Sequence, residues 1–72
     1  MWFKKKKTEI RTVNYDNKIT LTYPNDIELP KWGEILVMEA NGVENIGKVL
    51  SVRRIVREKS VEINIFVKQV ES

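Results

Sequence analysis

Seventy-two residues with no cysteine and no histidine leave room for one small domain, held by apolar packing and strand pairing. The same absences exclude disulfides, thiolate or imidazole metal sites, and Ser–His or Cys–His nucleophilic catalysis. The formal net charge of +3 arises from 13 basic and 10 acidic residues, four of the basic ones being the consecutive Lys4, Lys5, Lys6 and Lys7. Without that run nine basic residues face ten acidic ones, so the basic balance belongs to a short head and not to the domain surface.

Residues 1–7 read as a flexible aromatic and lysine-rich head preceding a domain over 8–72. A second reading of the head is an interfacial contact, with Trp2 and Phe3 entering an anionic surface and the lysines meeting phosphates. Met1-Trp2-Phe3 is shorter than the roughly 7–15 apolar residues of a signal-peptide core. No apolar run approaches the roughly 20 residues of a membrane span, so no transmembrane segment is expected and the chain reads as cytoplasmic.

Thr8 to Tyr15 is rich in β-formers but alternates imperfectly, which predicts an edge or early strand. Asn14-Tyr15-Asp16-Asn17 supplies turn residues. Lys18 to Tyr23 then alternates cleanly, with Ile19, Leu21 and Tyr23 on one face, and completes a hairpin. Pro24-Asn25-Asp26 ends that strand. The path from Pro24 to Gly33 is left open by the sequence.

Glu34 to Glu39 holds the densest apolar run, Ile35-Leu36-Val37-Met38. Apolar residues of both parities predict a strand that is central or covered on both faces. Asn41-Gly42 signals a turn, with a longer loop through Ile46 and a bulge at Gly47 expected before the next strand. Lys48 to Arg57 loses its alternation at Arg53-Arg54, which predicts a bulge or bend there. Arg57-Glu58-Lys59-Ser60 reads as a hairpin tip. Val61 to Val67 alternates strictly, with Val61, Ile63, Ile65 and Val67 on one face. No apolar stripe at helical spacing occurs. The expected fold is therefore all-β: a single small five-stranded antiparallel barrel or sandwich.

The stretch Glu28-Leu29-Pro30-Lys31-Trp32-Gly33-Glu34-Ile35-Leu36-Val37-Met38-Glu39 resembles the segment of SH3-like small barrels written Glu-Leu-x-Phe-x-x-Gly-Asp followed by alternating apolar residues. Gly33-Glu34 stands at the Gly-Asp turn, and Arg57 to Ser60 at the distal hairpin. What the resemblance implies is the barrel. Val13-Asn14-Tyr15-Asp16 matches the early Ala-Leu-Tyr-Asp-Tyr motif only in part, and Gly47-Lys48-Val49-Leu50 stands where a tryptophan pair belongs. Recognition of proline-rich peptides is therefore not implied, because fold does not carry function with it.

Three aromatics are candidate partner-binding residues. Trp32, in a turn, is either an interface anchor or a lid on the barrel end. Phe66 lies on the polar side of its strand and marks either a partner surface or a contact under a neighbouring loop. Tyr15 lies near a hairpin tip. Arg53, Arg54 and Arg57, joined by Lys4, Lys5, Lys6 and Lys7, are the candidate anion or nucleic-acid contacts. The alternative for the arginines is a solvated face balanced by Glu58 and Glu62. No residue pattern calls for a catalytic group, a metal or a cofactor, and an enzyme is not expected.

Two functions follow. The first is a non-enzymatic protein-binding module, with a protein partner or a homo-oligomer formed through an open strand edge. Small lone barrels of this composition are typical of phage and mobile-element accessory proteins, including morphogenesis factors and inhibitors of host proteins. The second is a small nucleic-acid-binding barrel that uses the lysine head and the arginine cluster, with stacking on Trp32 or Tyr15.

Overall fold

The computed structural model describes residues 8–70; the head, including Lys4, Lys5, Lys6 and Lys7, lies outside the described residues. Five strands follow in order: β1 (Thr8–Tyr15), β2 (Thr20–Thr22), β3 (Ile35–Ala40), β4 (Val43–Val56) and β5 (Ser60–Gln69). The described residues contain no helix, and none is therefore long and apolar enough to cross a membrane. The strands form one sheet in the order β2-β1-β5-β4-β3, curled into a nearly closed barrel. The all-β expectation holds.

The sheet is mixed and not antiparallel throughout. β1 and β5 run parallel, from Thr8 opposite Ser60 to Tyr15 opposite Val67, while the other three pairings are antiparallel. Turn residues report only the hairpins on either side of them. The β1–β5 pairing joins segments about fifty residues apart, and no local signal encodes it.

Strict alternation in β5 places Ile63, Ile65 and Val67 inward, where they meet Val13 and Tyr15 of β1, Val49 of β4, and Tyr23. Val13, Val49, Ile65 and Val67 are completely enclosed. Each apolar side chain of this size contributes about 1.5–3 kcal/mol by leaving water. The core thus lies where β1, β5 and β4 run side by side.

Three local expectations are corrected. Asn41 and Gly42, at φ 53° and 78°, form a two-residue hairpin, so β4 begins at once with Val43 and no bulge forms at Gly47. The bulge in β4 falls at Leu50, between the pairs Val49–Val67 and Ser51–Phe66, and not at Arg53-Arg54. It reverses the parity, so Val49 before it and Val52 after it both pack toward the core while Leu50 is exposed. Finally, only Thr20–Thr22 form the ladder of β2. The Asp16–Lys18 turn consumes the start of the predicted strand, with the Lys18 N–H bonded to the Tyr15 carbonyl at 3.0 Å and Lys18 at φ 71°.

The segment left open by sequence is fixed by polar bonds to β1. The Arg11 guanidinium donates to the Pro24 carbonyl at 2.9 Å and the Ile27 carbonyl at 2.7 Å, and its Nε pairs with Glu9. The Tyr23 hydroxyl donates to the Glu28 carbonyl at 2.6 Å. Pro30 is buried, and Gly33 N–H reaches the Val49 carbonyl at 2.8 Å.

Both core tyrosines resist ionisation. Burial raises the pKa of Tyr15; burial, reinforced by the Glu34 carboxylate and opposed by Arg11, raises that of Tyr23. The folded state then holds these protons more tightly than the unfolded chain. Their contribution to stability is complete below the unfolded value near 10 and is lost as pH rises through the folded values. Urea unfolding between about pH 9 and 12 is expected to show a falling midpoint, and Tyr15→Phe is expected to flatten that fall.

Candidate functional site

β3 ends the sheet, and among the described residues no strand is hydrogen-bonded to its outer edge. This overturns the expectation of a strand that is central or covered on both faces: β3 lies at an edge, and its outward residues Ile35 and Val37 are half exposed. Leu36 and Met38 pack against the core. Two-sided apolarity and central position look alike in sequence, because the run does not record which strands lie beside it.

The hairpin fixes the direction of the β3 backbone groups. Ala40 and Val43 flank the two-residue turn and exchange both hydrogen bonds, so Met38 and Leu36 also face β4. The bond from Val49 N–H to the Glu34 carbonyl at 2.9 Å continues the same parity. The N–H and C=O groups of Ile35, Val37 and Glu39 therefore point away from the sheet. Natural edges are usually guarded by lysine, proline or a bulge. This one carries none of these, and its single charge is Glu39.

Beside that edge the barrel is not sealed. A cleft of about 340 Å³ opens between Leu36–Glu39 on one wall and Thr22–Pro24 with Ile27 on the other. Its lining is mostly apolar, with Glu39 as the only charged residue.

At the start of β3 stands the Lys31–Glu34 turn. Glu34 N–H bonds to the Lys31 carbonyl at 3.0 Å, the Glu34 carboxylate accepts from Lys31 N–H at 3.0 Å, and Gly33 takes φ 84°. A positive φ at the third turn position calls for glycine. The turn holds Trp32 in solvent at 80% exposure, so the indole is no lid on the barrel.

The other aromatic candidates part company. Tyr15 is 3% exposed, and its hydroxyl donates to the Asn45 carbonyl at 2.9 Å. It is a core residue with no surface to offer: it shares the inward face of β1 with Val13, and only the turn residues after it, Asp16, Asn17 and Lys18, are exposed. Phe66 lies half-buried on the outer face, with the Arg53 guanidinium 5.7 Å from its ring centre.

The arginines do not form one patch. Arg53 and Arg54 are successive residues of β4 and point to opposite faces. Arg57 is paired with Glu62 at 2.6 Å. All three are exposed. Among the described residues no group of three acidic, histidine or cysteine side chains could hold a metal ion.

The sequence reading missed Ile35, Val37 and Glu39 as surface residues. The signal was present in the unguarded composition of the run, but only the strand order gives it that meaning. No protein-family model, curated protein or solved structure matches the chain.

Proposed function

We propose that this small barrel is a non-enzymatic protein-binding module that engages an extended segment of its partner along the β3 edge, with Trp32 as an anchor beside it. The observation that carries the reading is the unguarded edge itself: free backbone groups at Ile35, Val37 and Glu39, two half-exposed apolar side chains, and an open apolar cleft alongside. Strand addition draws affinity from such main-chain groups and specificity from alternate side chains. An exposed indole at the end of the edge fits the residue type that dominates interface energies. The general setting we place it in is that of phage and mobile-element accessory proteins, and the barrel is of the SH3-like kind in our reading.

Affinity capture from a lysate of its native cells, read by mass spectrometry, tests this with two variants. Trp32→Ala is expected to leave the unfolding free energy from urea titration within about 0.5 kcal/mol of the parent, as for an exposed side chain, and to lose the retained partner. Val37→Lys is expected to lose the same protein. Retention of the same proteins by the parent and both variants overturns the reading. So does tight low-salt binding of labelled oligonucleotides with no differentially retained protein, which would favour the nucleic-acid barrel.

A further inference from the structure

We infer that the β3 edge also pairs with a second copy of this chain, antiparallel about a two-fold axis through Val37. The inference rests on the reading of β3 as a pairing edge and names one occupant for it. A two-fold pair of this kind presents the same strand twice, so the strand must complement itself.

Three registers bring the free groups of two β3 strands into contact near the middle of the strand, centred on Leu36, Val37 or Met38. The outer-face pairs across β3 and β4 are Ile35–Lys48, Val37–Ile46 and Glu39–Glu44. Centring on Val37 aligns Ile46 and Val37 with the second copy's Val37 and Ile46, an unbroken apolar row across four strands. The rows on either side then read Glu44, Glu39, then Ile35 and Lys48 of the second copy. Within one chain Glu39 opposes Glu44, a like-charge cross-strand pair. The second copy brings Lys48 into that row, two strand spacings or roughly 10 Å from Glu39, a span that the two long side chains bridge. Centring on Leu36 sets Glu39 opposite Gly33, and centring on Met38 sets it opposite Val37. Neither carries Lys48 to the acidic pair.

The backbone agrees with this choice. Among the described residues the N–H and C=O groups of Ile35, Val37 and Glu39 face no strand, and a centre on Val37 pairs Ile35 with Glu39, Glu39 with Ile35 and Val37 with its own counterpart. On the inner side, Leu36 meets Met38 of the second copy, next to the cleft of about 340 Å³. Past the bond from Val70 N–H to the Ile46 carbonyl at 2.9 Å, the turn end of the β3–β4 hairpin, with Val43 and Glu44 exposed, extends beyond β5, so the Glu39 end of the pairing meets no β5 residue.

Sedimentation equilibrium of the full chain from about 5 to 300 µM, the range of weak to moderate association, tests the inference. A monomer–dimer equilibrium is expected. Val37→Lys should raise its Kd at least about tenfold, as should lysines on a sheet edge generally. Glu39→Lys and Lys48→Glu should each raise it about threefold or more, and the double charge exchange should restore it to within about threefold of the parent. Thr20→Lys, on the opposite edge of the sheet, should change nothing. Far-ultraviolet circular dichroism keeps unfolded variants out of the comparison. The inference is overturned by a monomer throughout the range, by a Kd indifferent to Val37→Lys, or by a double exchange no tighter than its single variants. A monomer whose partner capture still depends on Val37 overturns self-pairing and leaves the proposed function standing.

Discussion

Gly47→Ala, the addition of one methyl group, is expected to destabilise the domain by about 2–4 kcal/mol, because a side chain there has no space to enter. A Cβ at Gly47 would overlap the Val67 side chain, lie 2.9 Å from the Lys68 carbonyl oxygen and 3.1 Å from Cε2 of Tyr15. The backbone oxygen cannot rotate away, and Val67 is enclosed in the core. The strand would have to move off β5, taking the overhanging β3–β4 hairpin with it. For a domain of this size the change corresponds to a midpoint lowered by about 8–30 °C. Gly42→Ala is the comparison that separates crowding from backbone strain. Its Cβ meets nothing within 4 Å, and only the φ of 78° penalises it. That substitution is expected to cost about 1 kcal/mol. Equal losses at the two glycines would remove the packing account of Gly47.

Tyr15→Ala is expected to cost about 3–5 kcal/mol, comparable to deleting any large buried aromatic. Tyr15→Phe isolates the hydroxyl. It leaves the Asn45 carbonyl, on a residue only 5% exposed, without its 2.9 Å donor and is expected to cost about 1–2 kcal/mol. Urea titrations of the two variants check both figures through the midpoint at constant slope. A Tyr15→Ala variant as stable as its parent would show the ring outside the core.

These two residues also mark where sequence reading succeeds and where it stops. The all-β class and the inward set Ile63, Ile65 and Val67 were legible from strict alternation and the absence of a helical stripe. So was the Arg57–Ser60 tip, closed by a bond from Arg57 N–H to the Ser60 carbonyl at 2.8 Å. Tyr15 was not legible, because nearness to a turn says nothing about which way the turn folds. The β4 bulge was misplaced at Arg53-Arg54 because the loss of alternation becomes visible several residues after the extra residue, Leu50, that causes it. Gly47 was read as a conformational device and is instead a contact, which depends on Tyr15 and Val67 arriving from elsewhere in the chain.

The candidate surface was legible only in outline. Trp32 was chosen for its residue type and its turn, and among the described residues it is the most exposed of the large apolar side chains. The apolar run after it was assigned to the interior on composition, since an edge and a centre differ in neighbours and not in residues. The arginines were grouped by closeness along the chain. A strand sends alternate residues to opposite faces, so closeness in sequence divides them.

The parallel β1–β5 ladder carries a consequence for the order of folding. The β3–β4 and β4–β5 hairpins close over short turns and can form from nearby residues within microseconds. β1 has no such local route to its main partner, because Thr8 must find Ser60 and Tyr15 must find Val67. The entropy of closing that long loop is spent before the ladder returns any energy. The three-stranded meander is therefore the natural nucleus, and docking of the β1–β2 hairpin against it is the late, slow event that encloses Val13 and Tyr15.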